Sequence, residues 1–390
     1  MSAVGGEGQQ RPPRVMLSCG EPSGDLYAGA VIRAMSARGP VETCGFGGAQ
    51  MRDAGAELIG DYRGFSVTGL TEAVSVLRRS WHMLAALEAA ARSRRPDVFV
   101  AIDFPDFNFR LLPRIQALGI PIVYYISPQL WAWRPGRLAT IRKYVDRMLV
   151  IFPFEEAIYR DAGVPVTFVG HPLIDLAVRV RPREATLAAA GLDPAGPVVA
   201  LLPGSRPNEL RLILPAVVAA ARQLVADVPN LQFLVARAPS LDDDLFQPLE
   251  PLRQLGIKVG ILPDAADDVL AAADVVITAS GTATVQTALH GVPMVIVYRV
   301  SPLTYAIARR FVKLKQYGMV NLVAERVVAP ELIQDRCTPE RIAAETRRLL
   351  TDTAAADQMR ADLAEVVRRL GGRGASERAA DAILNEVRRP

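Results

Sequence analysis

Short apolar runs recur along the chain, with stretches of helical spacing between them. In the first half the runs are Val15–Ser18, Asp97–Ile102, Ile122–Ile126, Met148–Ile151 and Thr167–Val169, and the helix-like stretches include Asp25–Arg38 and Trp81–Arg94. The second half restarts the pattern with Val198–Leu202, Leu231–Ala236, Val259–Leu262, Val275–Thr278 and Met294–Tyr298, and with helices such as Leu212–Val225 and Thr284–His290. Runs apolar at nearly every position predict strands buried on both faces, as in parallel sheets covered by helices. Two such series predict an α/β protein of two Rossmann-like, doubly wound domains. A chain of 390 residues is too long for one ordinary core, which agrees.

The expected division is a polar lead at 1–13, a first domain at 14–180, a second at 181–365 and a C-terminal helix at 366–390. Residues 179–197, RVRPREATLAAAGLDPAGP, carry prolines and charge with little strand pattern and mark the junction. Pro339–Arg389 is helical and rich in Ala and Arg, broken at Gly371–Gly374, and its last helix is placed to fold back on the first domain.

Composition narrows the classes. No apolar run approaches the roughly 20 residues of a spanning helix, and residues 1–13 lack the apolar core of a signal peptide. Cys19, Cys44 and Cys337 are too far apart for a metal pattern or a disulfide framework, so they read as packed thiols in a reducing cytoplasm. Net charge is only +4, but residues 62–147 hold thirteen Arg/Lys against six Asp/Glu. That excess is either a set of solvated helix faces or a surface that meets phosphates, nucleic acid or an acidic leaflet. No nucleic-acid-binding signature occurs, so that partner is set aside. Phe65–Leu87 is apolar with Arg78, Arg79 and Trp81 interspersed; it reads as a core helix or as an interfacial one that dips into lipid.

The candidate chemistry lies where strands end. The first strand runs into Cys19-Gly20-Glu21-Pro22-Ser23-Gly24-Asp25, at the carboxyl edge where open sheets bind ligands. Helix capping by Ser23 or Asp25 is the competing reading. Gly45-Phe46-Gly47-Gly48 is expected to follow the second strand and open a helix, and a tight turn explains it equally well. Asp103 ends an apolar strand ahead of Phe104-Pro105-Asp106-Phe107-Asn108, a setting that suits a proton acceptor, with a cap at Asp103 or Asp106 as the alternative. Trp131, Trp133 and Arg134 offer stacking faces and an anion partner in a Pro-bounded loop. In the second half, Gly204-Ser205-Arg206 and Ser280-Gly281-Thr282 both leave strands for helices, as a diphosphate site requires, though each also reads as a plain turn. No nicotinamide or P-loop fingerprint is present, Asp242–Asp244 reads as a solvated helix start, and His82, His171 and His290 show no ligand spacing. The expected cofactor and metal content is none.

Together these stretches resemble the lipid-A-disaccharide synthase family. The matching runs are GEPSGD from Gly20, GFGG from Gly45, DFPDFN from Asp103, SPQLWAWR from Ser127, FPFE from Phe152 and GHPLID from Gly170. They continue with LLPGSRPNE from Leu201, ASGTAT from Ala279, PMVIVYR from Pro293 and VNLVA from Val320. The likeness runs from about residue 14 to 350. It implies a GT-B fold, two Rossmann-like domains facing a cleft, and an inverting transfer. UDP-2,3-diacylglucosamine would be the donor and 2,3-diacylglucosamine 1-phosphate (lipid X) the acceptor, giving the β-1,6 disaccharide phosphate and UDP at the cytoplasmic face of the inner membrane. It implies Asp103 as base on the acceptor 6-hydroxyl, Arg206 and Asn321 as UDP contacts, and the two glycine turns around the diphosphate. Gly20, Glu21, Ser23, Gly24, Asp25, Gly47, Trp133 and Arg134 complete the expected substrate contacts. The family usually has Glu where this chain has Gln286, a neutral acceptor in place of a charged one for ribose hydroxyls. It more often has Ala and His where this chain has Pro22 and Tyr27. A UDP-sugar epimerase, a non-lipid glycosyltransferase and a non-catalytic binding paralogue are the rival readings, and self-association is left open.

Overall fold

The computed structural model describes residues 11–63, 70–128, 136–178, 180–239, 241–301, 305 and 316–387, with backbone alone at 70–77. The expected lead therefore lies almost wholly outside the described residues.

The first unit comprises the described residues up to Pro172 and those from Arg373 onward; the second is Leu173–Gly372. In the first unit the order is β1 (Arg14–Ser18), α1 (Pro22–Ser36), β2 (Glu42–Gly47), α2 (Ala49–Asp53), β3 (Glu57–Asp61), α3 (Leu70–Arg94) and β4 (Val98–Ile102). It continues through α4 (Pro105–Gln116), β5 (Ile122–Tyr125), α5 (Arg137–Tyr144), β6 (Arg147–Val150), α6 (Pro153–Asp161) and β7 (Val166–Phe168). The strands form one parallel sheet in the order β3-β2-β1-β4-β5-β6-β7. All five residues of β4 are buried, as a central strand with helices on both faces demands. Met16, Phe46, Phe99 and Tyr124 meet Leu84, Leu111 and Ile115 from α3 and α4 in the core.

The second unit runs α7 (Leu173–Leu176), α8 (Arg183–Ala189), β8 (Val198–Leu202), α9 (Pro207–Asp227), β9 (Gln232–Arg237), a 3₁₀ turn (Asp243–Leu249), α10 (Glu250–Gln254), β10 (Val259–Pro263), α11 (Ala266–Ala271) and β11 (Val275–Ala279). It ends with α12 (Thr282–Leu289), β12 (Met294–Tyr298), α13 (Met319–Ala324), β13 (Glu331–Ile333), α14 (Pro339–Thr351) and α15 (Thr353–Arg369). Its strands are again parallel, in the order β10-β9-β8-β11-β12-β13. The last helix, α16 (Ala375–Val387), rejoins the first unit. There Asp381 pairs with Arg38 just past α1, Glu386 pairs with Arg147 of β6, and Arg378 Nε donates to Val169 O at 2.8 Å.

Three strands carry no continuous apolar run. β2 opens with half-buried or exposed residues, β3 is nowhere fully buried, and β13 is three residues at the sheet edge. The Gly45–Gly48 expectation is corrected here. Gly45, Phe46 and Gly47 are the end of β2 itself, and only Gly48 precedes α2. A Cβ on Gly45, at φ +153°, would stand 1.9 Å from Leu17 O of the paired strand, so glycine is what lets β1 and β2 approach.

Candidate active site

In each sheet the chain winds outward from one strand and then returns to the other side of it. The return point lies between β1 and β4 in the first unit and between β8 and β11 in the second. Loops leaving two such neighbouring strands open away from each other, and the gap at their carboxyl ends is where open α/β sheets hold ligands. The loops leaving these four strands are Cys19–Glu21, Asp103–Phe104, Pro203–Arg206 and Ser280–Gly281, with Ser23 and Gly24 in the first turn of α1.

In the first unit the Asp103 turn is held by its own backbone. Asp103 and Phe104 are consecutive non-glycine residues at positive φ, +43° and +49°. Left-handed backbone costs about 1–2 kcal/mol per residue, least for Asp and Asn. Two bonds offset it: Tyr124 Oη and Asn108 Nδ2 both donate to Asp103 O at 2.7 Å. Ser18 Oγ, at the end of β1, donates to Asn108 Oδ1 at 2.8 Å, so both strands of the switch point brace one turn. Phe104 then swings its ring over Gly20, where a Cβ would stand 2.4 Å from ring carbons, and stacks on Phe107 at 5.3 Å. The Asp103 carbonyl is thus tied inward and its side chain left half-buried at the sheet edge. Tyr27 and Tyr124 are fully buried phenols pushed far up, chiefly by burial and then by the nearby Asp103 charge. Asp106 does not share this place; it is exposed and accepts from Arg137 Nη2 at 2.5 Å.

The remaining expected residues of the first unit divide. Gly20, Glu21 and Ser23 line the exit of β1, half-buried. Asp25 is turned away from it: its buried carboxylate accepts from Gly48 N, Gln50 N and Met51 N at 2.9, 3.0 and 3.1 Å. Asp25 is a cap, but of α2 rather than of its own helix, where three otherwise unpaired N–H groups meet one carboxylate. Gly24 and Gly47 are buried, and a Cβ on them would meet Cys19 Cβ at 3.2 Å and Met51 Sδ at 2.1 Å, so they are small for packing. Trp133 and Arg134 lie outside the described residues, as does Trp131.

In the second unit the two glycine turns prove unequal. Glu209, in the first turn of α9, reaches back so that its Oε2 accepts from Ser205 N and Arg206 N at 3.0 and 3.3 Å. Those backbone donors, expected to face a diphosphate, are already capped. Gly204, at φ +134°, leaves the room that Glu209 fills. What the turn presents is the Arg206 guanidinium, 3.7 Å from the Glu209 carboxylate and largely exposed. The Tyr298 phenol stands close by: burial and then Glu209 push it up while Arg206 pulls it down.

The start of α12 is the opposite case. No side chain caps it, and among the described residues none accepts from the N–H groups of Gly281, Thr282 or Ala283. A Cβ on Gly281 would meet open space. Ser280 Oγ donates to Tyr317 O at 3.1 Å, so that hydroxyl braces the turn instead of facing outward. Glu331, unremarked in the sequence, accepts from Tyr317 N and Gly318 N at 3.0 and 2.8 Å and from Asn321 Nδ2 at 2.7 Å. Asn321, expected as a nucleotide contact, is fully buried: Nδ2 also donates to Ala329 O, and Oδ1 accepts from Val328 N and Ala329 N. Its side chain positions the loop beside the Ser280 turn, and every donor and acceptor on it is occupied in doing so. A buried amide inside an apolar run gives no sequence sign of which partners it has. Gln286, one turn into α12, is half-buried and bonded to Asp267.

His171 is fully buried in the first unit, edge-on to Tyr27 and 5.4 Å from the Phe152 ring, and burial pushes it down to about 3. Its ordinary value in the unfolded chain is about 6.5, so the native state refuses a proton that the unfolded state takes. Stability from this group is intact above pH 6.5 and lost as pH falls towards 3, by roughly 2 kcal/mol between pH 7 and pH 5. His171→Gln should remove that part of the difference between urea midpoints at the two pH values; an unchanged difference would refute it.

A family model described as lipid-A-disaccharide synthetase matches residues 15–386. The lipid-A-disaccharide synthase of Geobacter sulfurreducens is 44% identical over 375 residues, covering 95% of this chain and 96% of the relative. That of Myxococcus xanthus is 42% identical over 374 residues, covering 96% and 97%. Among solved structures, the glycotransferase of kitacinnamycin aligns with a TM-score of 0.62 over 97% of this chain and all of its own, at 21% identity, a likeness of fold. Because the family match runs through both units and through all four switch-point loops, the chain belongs to the lipid-A-disaccharide synthase family.

Proposed function

We propose that Asp103 is the general base of an inverting sugar transfer, and that Arg206 and the uncapped first turn of α12 receive the leaving UDP. The transfer is that of the family: the diacylglucosamine of UDP-2,3-diacylglucosamine passes to the 6-hydroxyl of lipid X, and the lipid A disaccharide 1-phosphate and UDP leave. In this reading Asp103 takes the hydroxyl proton as the oxygen attacks C1 of the donor from the face opposite UDP. The C1–oxygen bond to the diphosphate breaks, and its electron pair goes to the phosphate. Preorganised donors aimed at that charge, the N–H groups of Gly281, Thr282 and Ala283 and the Arg206 guanidinium, stabilise it without a metal. Asn321 and Glu331 hold the Tyr317 turn in place, and Asp25 holds α2.

The observation that supports the reading is that all four candidate loops leave strands at the two topological switch points. The protein incubated with UDP-2,3-diacylglucosamine and labelled lipid X, without added metal, should form a labelled disaccharide. UDP-sugar turnover with no product on lipid X would favour a different acceptor, and no turnover at all a binding paralogue.

Peripheral attachment to the cytoplasmic face of the inner membrane belongs to the same reading, since both substrates are acylated. Among the described residues no helix is long and apolar enough to cross a membrane. α3 nevertheless exposes Trp81 by half, with the guanidinium carbons of Arg110 and Arg114 5.8 and 5.7 Å from its ring centre, and Arg78 and Arg79 exposed one turn before it. The interfacial-helix expectation also covers 65–77, whose side chains lie outside the described residues. A basic residue near an anionic leaflet is worth about 1 kcal/mol. Arg78→Glu/Arg79→Glu should therefore weaken binding to phosphatidylglycerol vesicles at least tenfold at low salt; co-sedimentation equal to the parent's would remove α3 from the contact surface.

A further inference from the structure

Gln286 of α12 and His290, the residue that caps its C-terminus one turn on, converge on one atom of another helix. Gln286 Nε2 and His290 Nε2 each stand 2.8 Å from Asp267 Oδ1, in the first turn of α11. The cluster is largely shielded, with side-chain exposure of 11% at His290 and 24% at Asp267. A carboxylate only accepts, so both partners must donate to it. That fixes the His290 proton on Nε2 and, more usefully, fixes the amide of Gln286. With Nε2 turned to Asp267, the carbonyl Oε1 is presented on the other side.

We infer that Asp267 is a positioning residue for the nucleotide: it locks the Gln286 amide so that an uncharged acceptor faces the vicinal hydroxyls of the nucleotide's ribose. His290 anchors the carboxylate from the second side. The inference rests on the reading that the start of α12 holds the leaving nucleotide. It also explains why residue 286 is an amide. A carboxylate at 286 would stand against the Asp267 carboxylate, and two carboxylates sharing one site cannot both stay ionised. Without Asp267 the amide turns over freely, and its NH₂ face competes for the same place.

The test is UDP binding by calorimetry on the full chain, with donor KM and kcat measured in parallel. Asp267→Ala should weaken UDP about fivefold and raise donor KM by a similar factor, with kcat within about twofold. Gln286→Glu should weaken UDP at least tenfold. In Asp267→Asn/Gln286→Glu the polarity is reversed, since an amide NH₂ at position 267 now donates to a carboxylate at position 286, and affinity should return to within about threefold of the parent. A purely structural role for Asp267 would predict additive losses in the double variant, not recovery. Gln286→Met keeps the shape and removes the acceptor, and it should bind UDP as weakly as Asp267→Ala. Gln286→Glu binding as tightly as the parent, or no recovery in the double variant, would overturn the inference. If Arg206→Ala weakens UDP and Gln286→Met does not, this inference fails alone; if neither weakens it, the nucleotide reading of α12 fails and takes this one with it.

Discussion

Asp103→Asn should cut the rate of disaccharide formation in a single turnover about a thousandfold, with UDP affinity unchanged. General-base transfer contributes typically 10²–10⁴ in rate, so the expected loss is roughly 4 kcal/mol of barrier. The substitution isolates the chemistry. Asn is among the few residues that tolerate the left-handed backbone found at this position, at φ +43°. The two donors that hold the turn, Tyr124 Oη and Asn108 Nδ2, bind the backbone carbonyl and not the carboxylate, so they remain. Fold and loop geometry should therefore survive while the proton acceptor is lost. UDP sits on the other unit's turns in this reading, so its affinity is the control. A rate within tenfold of the parent would move the base elsewhere, and a matching loss of UDP binding would make Asp103 a binding residue.

Arg206→Ala is expected to lower kcat/KM for the donor by about 10²–10³, the usual loss when one preorganised donor to a developing charge is removed. Here the stability cost is separable from the catalytic one. The Arg206–Glu209 pair is exposed on the arginine side and 3.7 Å apart, and such pairs contribute about 1 kcal/mol or less. Glu209 keeps its bonds to Ser205 N and Arg206 N when the guanidinium goes, because they are made to backbone. The melting temperature should fall by no more than about 2–4 °C. Arg206→Lys should recover only part of the rate, since an ammonium meets a diphosphate as a point charge and not as a fork. Donor kcat/KM within a factor of three of the parent in the Ala variant would leave the diphosphate to α12 alone.

The candidate loops were legible because strand ends are written locally. An apolar run that stops at Asp103, or at a Gly-Ser-Arg turn, marks the carboxyl edge of a buried strand from a few neighbouring residues. The two-sheet architecture followed from the same runs, since a parallel strand with helices on both faces must be apolar throughout. β3 and β13 were not legible in this way, and β2 was expected only as the strand ahead of Gly45. They are only partly buried, and no run of apolar residues is needed to hold them. The GFGG stretch misled for a related reason: its glycines answer to the Leu17 carbonyl on a neighbouring strand, not to a turn.

The chain's own order of residues determined the fold class, the family and the four loops at the switch points. Which side chains in those loops are already bonded within the protein was decided only by packing. Asp25, Asn321 and the backbone donors at 205 and 206 were plausible ligands by residue type, yet each is occupied by a partner 7 to 26 residues away or by the cap of its own helix. Asp103 is set by Asn108 and Tyr124, the turn at Gly281 by Tyr317, and the amide of Gln286 by Asp267 of a neighbouring helix. A polar group has several acceptable partners within reach of its bonds, and the three-dimensional arrangement of the backbone selects among them. Local spacing therefore tells where a carboxylate or amide stands in the chain, and the tertiary contacts alone tell whether it is already satisfied.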